Sequence, residues 1–105
     1  MASLPPLEIS PPHWAIVVDI LQQHLPNRTV WAFGSRARFA AKPYSDLDLA
    51  VIGDAPLSLS GLAALEEAFT ESPLPFKVDV VDWATTGESF RNIIRQTHVP
   101  VWPPV

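Results

Sequence analysis

From Trp14 onward the apolar residues Trp14, Val17, Val18, Leu21 and Leu25 recur at the spacing that lines one face of a helix. Ser10 followed by Pro11 and Pro12 supplies a cap and residues already set to helical φ, so a helix is predicted from Pro11 until Pro26 stops it. Thr29 to Phe33 is a β-branched and aromatic run closed by Gly34, which reads as a buried strand. A short helix is expected next, from Ser35 to about Ala40. Past the turn marked by Pro43 and Tyr44, the segment Asp46 to Ile52 alternates acidic or small residues with Leu47, Leu49 and Val51, as a strand with one buried face does.

Ser60 heads a further helical pattern that places Leu62, Leu65, Ala68 and Phe69 on one face and ends at Pro73 and Pro75. Phe76 to Val81 reads as a third strand, and Thr85 with Glu88 makes a capping box for a last helix carrying Phe90, Ile93 and Ile94. The tail, Val99 to Val105, mixes proline and aliphatic residues around Trp102 and is expected to take no part in the core. Helical and extended segments thus alternate along the chain, which predicts an α/β layering.

Composition narrows the function classes. A chain of 105 residues fits one domain, 1–105, with proline-bearing ends at 1–9 and 99–105. Eleven acidic against seven basic side chains leave a net charge of -4, the wrong sign for covering the phosphates of a nucleic acid, so no direct nucleic-acid partner is expected. The absence of cysteine removes disulfides, thiolate zinc sites and a cysteine nucleophile, so any metal must be held by oxygen or imidazole. Met1 to Ser10 carries neither basic residues nor an apolar core of a leader, and no apolar run is long enough for a membrane span; a cytoplasmic location without a membrane partner is expected.

The strongest chemical signal is Asp46 and Asp48, because residues two apart on a strand project to one face and set two anions side by side. Their repulsion is relieved by a divalent cation, and Mg²⁺ suits the arrangement because it takes one or two carboxylates and completes its shell with water and phosphate oxygens. A bare acidic pair is more often a solvated turn; what changes the balance here is its company. Gly34-Ser35-Arg36-Ala37-Arg38 lies upstream, directly after a strand, where free backbone N–H groups favour an anion and Ser35 adds a hydroxyl donor. Arg36 and Arg38 offer phosphate charge, although residues two apart on a helix need not face the same way. Asp79 interrupts an apolar strand and must face either a polar cleft or a cation. Three carboxylates from two strands suffice for two Mg²⁺ ions about 4 Å apart, the arrangement used for in-line displacement at phosphorus. Asp82, of opposite parity, reads as a turn or cap residue, and His13, His24 and His98 lie far from the acids in sequence.

Gly34-Ser35-Arg36-Ala37-Arg38, then Ser45-Asp46-Leu47-Asp48-Leu49, then Val78-Asp79-Val80 resembles the motif set of the minimal nucleotidyltransferase family of the DNA polymerase beta superfamily. The resemblance covers about residues 30 to 95. It implies a small mixed sheet of three to four strands flanked by helices, with Asp46 and Asp48 as the metal-binding pair, Asp79 as the third acid and Gly34 and Ser35 as the triphosphate-binding turn. The chain departs from the pattern at Phe39, where the family has glycine.

The leading expectation is therefore a nucleotidyltransferase that uses ATP as donor. Stand-alone proteins of this kind resemble antitoxins paired with HEPN-domain ribonuclease toxins, which implies a hetero-oligomer and AMP transfer to a hydroxyl of the partner, a tyrosine above all. The alternatives are a binding antitoxin that neutralises its partner by occlusion, and transfer to a small molecule such as an aminoglycoside, which usually requires an added helical domain. Trp102 in its apolar tail is a candidate docking element.

Overall fold

The computed structural model describes residues 4–104, so Met1 to Ser3 of the proline-bearing N-terminal end and the final Val105 lie outside the described residues. Helix α1 runs Pro11–His24 and buries Trp14, Val17, Ile20 and Leu21. Ser10 takes the extended cap conformation but makes no side-chain cap bond, since prolines occupy the first positions that would offer an N–H. Strand β1 is Thr29–Phe33 and β2 is Leu47–Ile52. Helix α2, Leu59–Glu71, begins before the expected Ser60: the side chain of Ser58 accepts from Gly61 N at 3.0 Å and so fixes the start. Strand β3 is Val78–Asp82, a 3-10 turn spans Trp83–Thr85, helix α3 is Glu88–Gln96 and strand β4 is Val99–Trp102. The expected capping box is not formed, because Thr85 is held in the 3-10 turn, where its hydroxyl donates to Asp82 O, and Gly87 takes the cap position of α3.

The four strands form one mixed sheet in the order β3-β2-β1-β4, with β2 and β3 parallel and β1 antiparallel to both β2 and β4. Strand parity divides its side chains between two faces. Val30, Ala32, Leu47, Leu49 and Val51 join the buried residues of α1 and α2 in the main core. Phe33, Ala50, Trp83 and Ile94 form a second cluster on the opposite face, under α3. Asp48 shares parity with Ala50, and Asp79 with Val81, so both acids belong to the α3 face.

The tail takes part in the fold, contrary to expectation, and the described part of the N-terminal end does so as well. Leu7 and Ile9 are buried in the main core. Strand β4 pairs with β1, Val30 opposite Trp102 and Ala32 opposite Val99; Pro100 is accommodated because the strand lies at the sheet edge, where one row of N–H groups has no ladder partner. Trp102 is buried, and its indole N–H donates to Leu25 O at 2.8 Å. It locks the tail to the end of α1 and is not a free docking element. Among the described residues no helix is long and apolar enough to cross a membrane.

Candidate active site

Strand β1 delivers the chain to Gly34, whose φ of 78° turns it out of the sheet. A side chain there has no room: a Cβ would lie 2.2 Å from Asp48 Oδ2. Glycine is required by the close approach of a carboxylate as well as by the backbone angle. The expected helix after it does not form. Residues 35–39 make tight turns, with Arg38 N donating to Gly34 O and Ser35 O, both at 3.2 Å, and Ala40 N to Ser35 O at 2.9 Å. The turn closes at Phe39 with φ 54°, a left-handed conformation that glycine adopts without strain. The glycine of the family pattern thus has a physical reason, and this chain holds a mostly exposed phenylalanine in that same conformation.

Arg36 occupies a different place from the one expected of a phosphate ligand. It is buried, with 5% of its surface exposed, and its guanidinium is consumed by main-chain carbonyls. Nε and Nη2 both donate to Ser45 O, at 3.0 and 2.9 Å, Nη2 also to Pro43 O at 3.2 Å, and Nη1 to Glu8 O at 2.9 Å. The group also lies over the Phe76 ring, 4.0 Å from its centroid. Glu8 completes the clamp, its N–H donating to Arg36 O and its carboxylate accepting from Ala41 N. Arg36 therefore ties the N-terminal segment and the loop before β2 together, which corrects its assignment to the nucleotide. Arg38 is the cation of this pair that acts on the acids, since its charge favours ionised Asp48.

Asp48 and Asp79 stand opposite each other in the register of β2 and β3, and the exposed Asp46 precedes β2 on the same parity. Burial, then the charges of Asp79 and Asp46, pushes the Asp48 carboxyl up to about 6, with Arg38 opposing. Asp79 has found one counter-charge in Lys77, whose Nζ lies 3.2 Å from Oδ1; the two are residues i and i+2 of one extended segment, a signal the sequence carried. The hard oxygen donors, three carboxylates against the two cations Lys77 and Arg38, fit a hard divalent cation. The side chains do not, however, converge as a ready-made cage: among the described residues no three of His, Cys, Asp and Glu are grouped to hold a metal.

Asp82 lies on the other face, buried, its Oδ2 accepting from Leu57 N at 2.9 Å and its Oδ1 from Ala84 N at 3.3 Å, the cap role expected of it. His13 packs edge-on against Phe76 and His98 stacks on Trp31. Sequence reasoning passed over Phe33 and Phe90 at this end of the sheet, because aromatic residues in a strand and on an amphipathic helix read as core.

A mixed sheet that sets acidic residues from two parallel strands beside a glycine-serine turn defines a nucleotidyltransferase domain. The sequence comparison agrees: the profile of the family described as "Polymerase beta, Nucleotidyltransferase" matches residues 16–102, and the chain belongs to that family. It is 54% identical, over 96% of its own length and 89% of the relative's, to the Haemophilus influenzae protein named "Probable protein adenylyltransferase MntA". Among solved structures it is similar to a toxin-antitoxin crystallised with AMP-PNP, at a TM-score of 0.71 and 21% identity over 85% of this chain and 72% of that one. It is also similar to a chain of the tri-AMPylated Shewanella oneidensis HEPN toxin in complex with its MNT antitoxin, at a TM-score of 0.65 and 18% identity over 87% of this chain and 70% of that one.

Proposed function

We propose that this protein transfers AMP from ATP to a hydroxyl of a partner protein, a tyrosine of a HEPN-type toxin, and acts as the antitoxin of the pair. The observation that carries the reading is Asp48, wedged against Gly34 and facing Asp79 across the β2–β3 register, so that a phosphate turn and an acidic pair form one site. The H. influenzae relative, by its name, and the AMPylated toxin bound by a structural neighbour supply the acceptor class.

In this reading the Gly34 and Ser35 turn holds the β and γ phosphates through backbone N–H groups and the serine hydroxyl, and Arg38 adds positive charge. Asp46, Asp48 and Asp79 would hold Mg²⁺, two ions in this reading, and the metal would supply positive charge to the triphosphate. Asp79, on the edge strand β3, would accept the proton of the attacking hydroxyl. The acceptor oxygen forms its bond to the α phosphorus as the bond to the β-phosphate bridging oxygen breaks, and pyrophosphate leaves. An acidic chain suits a basic partner, and a docked protein can position the hydroxyl without an added domain.

The test is incubation of the co-expressed pair with α-labelled ATP and Mg²⁺, followed by mass spectrometry of both proteins. AMP on the partner, lost in Asp48→Asn, is the expected result. An unmodified partner fully neutralised by Asp48→Asn defeats the catalytic reading in favour of occlusion, and label on a small molecule defeats the protein acceptor.

A further inference from the structure

The phosphate turn and the acids account for the triphosphate but leave the base of the nucleotide without a seat. Phe33 is the β1 residue paired with Asp48, and its side chain lies on the same sheet face. Its buried ring meets Phe90 of α3 edge-on, with centroids 5.8 Å apart and planes at 82°. Phe90 is 40% exposed, and Ile93, three residues along α3, is 55% exposed. The charged groups of α3 are engaged elsewhere: Arg91 donates twice to Trp83 O, and Arg95 reaches Glu88 and lies over the Trp83 ring. What remains beside the acids is an apolar shelf whose leading aromatic ring is held by an edge contact and keeps one side open.

We propose that Phe90, supported by Phe33 and flanked by Ile93, is the stacking platform for the nucleobase of the bound nucleoside triphosphate. The proposal rests on the nucleotidyl-transfer reading of the same site. The shelf begins at Phe33, the residue paired with Asp48, so it borders the acids on the same face of the sheet. A flat, preorganised aromatic surface suits a purine, whose π face stacks on it without needing a polar partner. For the same reason the shelf does not discriminate among purines: ATP and GTP gain from it alike.

The experiment compares calorimetric titrations of the full chain with ATP, GTP and inorganic tripolyphosphate, all in Mg²⁺, for the unmodified protein, Phe90→Ala and Phe90→Tyr. Tripolyphosphate reports the phosphate site alone. Phe90→Ala is expected to weaken ATP and GTP about tenfold and leave tripolyphosphate unchanged, while Phe90→Tyr keeps the affinity for all three. Equal weakening of all three ligands by Phe90→Ala, or unchanged ATP binding with a weakened partner complex, overturns the platform and makes the shelf a structural or docking feature. Failure of the unmodified protein to bind either ATP or tripolyphosphate overturns the nucleotide reading itself, and the platform with it.

Discussion

Asp48 and Asp79 face each other directly across adjacent parallel strands, and the backbone of Gly34 presses on Asp48 from its other side. Ionised Asp48 is therefore a source of instability until a cation arrives. A carboxyl held above its unfolded value of 3.8, here at about 6, binds more protons in the folded state. Its stabilising contribution is fully present below the unfolded value and is lost as pH rises through about 6. In metal-free protein, Asp48→Asn should raise the melting temperature relative to the unmodified chain, by a margin that widens as pH rises from about 4 to about 7. Mg²⁺ should close that gap by stabilising only the unmodified protein, and transfer should be absent from the variant. Thermal unfolding in EDTA and in Mg²⁺ at several pH values checks this; a margin independent of pH contradicts it.

Asp79 and Asp82 are neighbours on β3 with opposite duties. Asp79 lies on the face of Asp48 with a half-exposed side chain, whereas Asp82 is buried on the other face and receives the N–H groups of Leu57 and Ala84. Asp79→Asn should strongly lower turnover at near-normal stability. Asp82→Ala should cost about 1 to 3 kcal/mol by stranding its donors while turnover per folded molecule stays close to normal. Urea titrations and single-turnover assays on the two variants separate these effects, and equal losses of turnover would contradict the register.

Where each residue's pattern and its tertiary role coincide, the sequence was readable. The period-2 run of β2 and the helical spacing of α1 emerge as expected, because each element has one apolar face to bury. Parity within one strand relates Asp46 to Asp48, whereas the position of Asp79 opposite Asp48 depends on the β2–β3 register, which the sequence does not carry. Strand β4 was not legible, since Pro100 in a short run speaks against a strand unless its edge position is known. Nor was Arg36, whose partners are carbonyls from the N-terminal segment and the loop before β2, brought together only by the fold.

Phe39 carries a left-handed backbone that its side chain disfavours, and its ring is 60% exposed. Little packing offsets the strain. Phe39→Gly should stabilise the protein by about 1 kcal/mol, the cost of left-handed φ less the flexibility glycine adds to the unfolded chain. The midpoint of urea unfolding measures it, with an unchanged m value as the sign that only stability has moved. A lower midpoint would mean that the ring makes a contact worth more than the strain.

Arg36 and Arg38 make the sharpest contrast between fold and function. Lysine at position 36 keeps the charge but has no planar fork, so it cannot satisfy Ser45 O, Pro43 O and Glu8 O together. Arg36→Lys should cost about 3 kcal/mol or more, since several charge-assisted bonds to buried carbonyls are lost at once. The chain that enters Asp46 would loosen with it, and hydrogen exchange at Ala41, whose N–H donates to Glu8, should speed up selectively. Arg38→Ala should move the unfolding midpoint far less than Arg36→Lys and instead weaken binding of ATP and tripolyphosphate in parallel, because its charge acts at the acids and, in the proposed reading, on the phosphates, while it makes no clamp of main-chain carbonyls. Denaturant titration and calorimetry on the two variants read out both effects. A loss of tripolyphosphate affinity in a fully folded Arg36→Lys protein would return Arg36 to the phosphate site and undo its reading as a clamp.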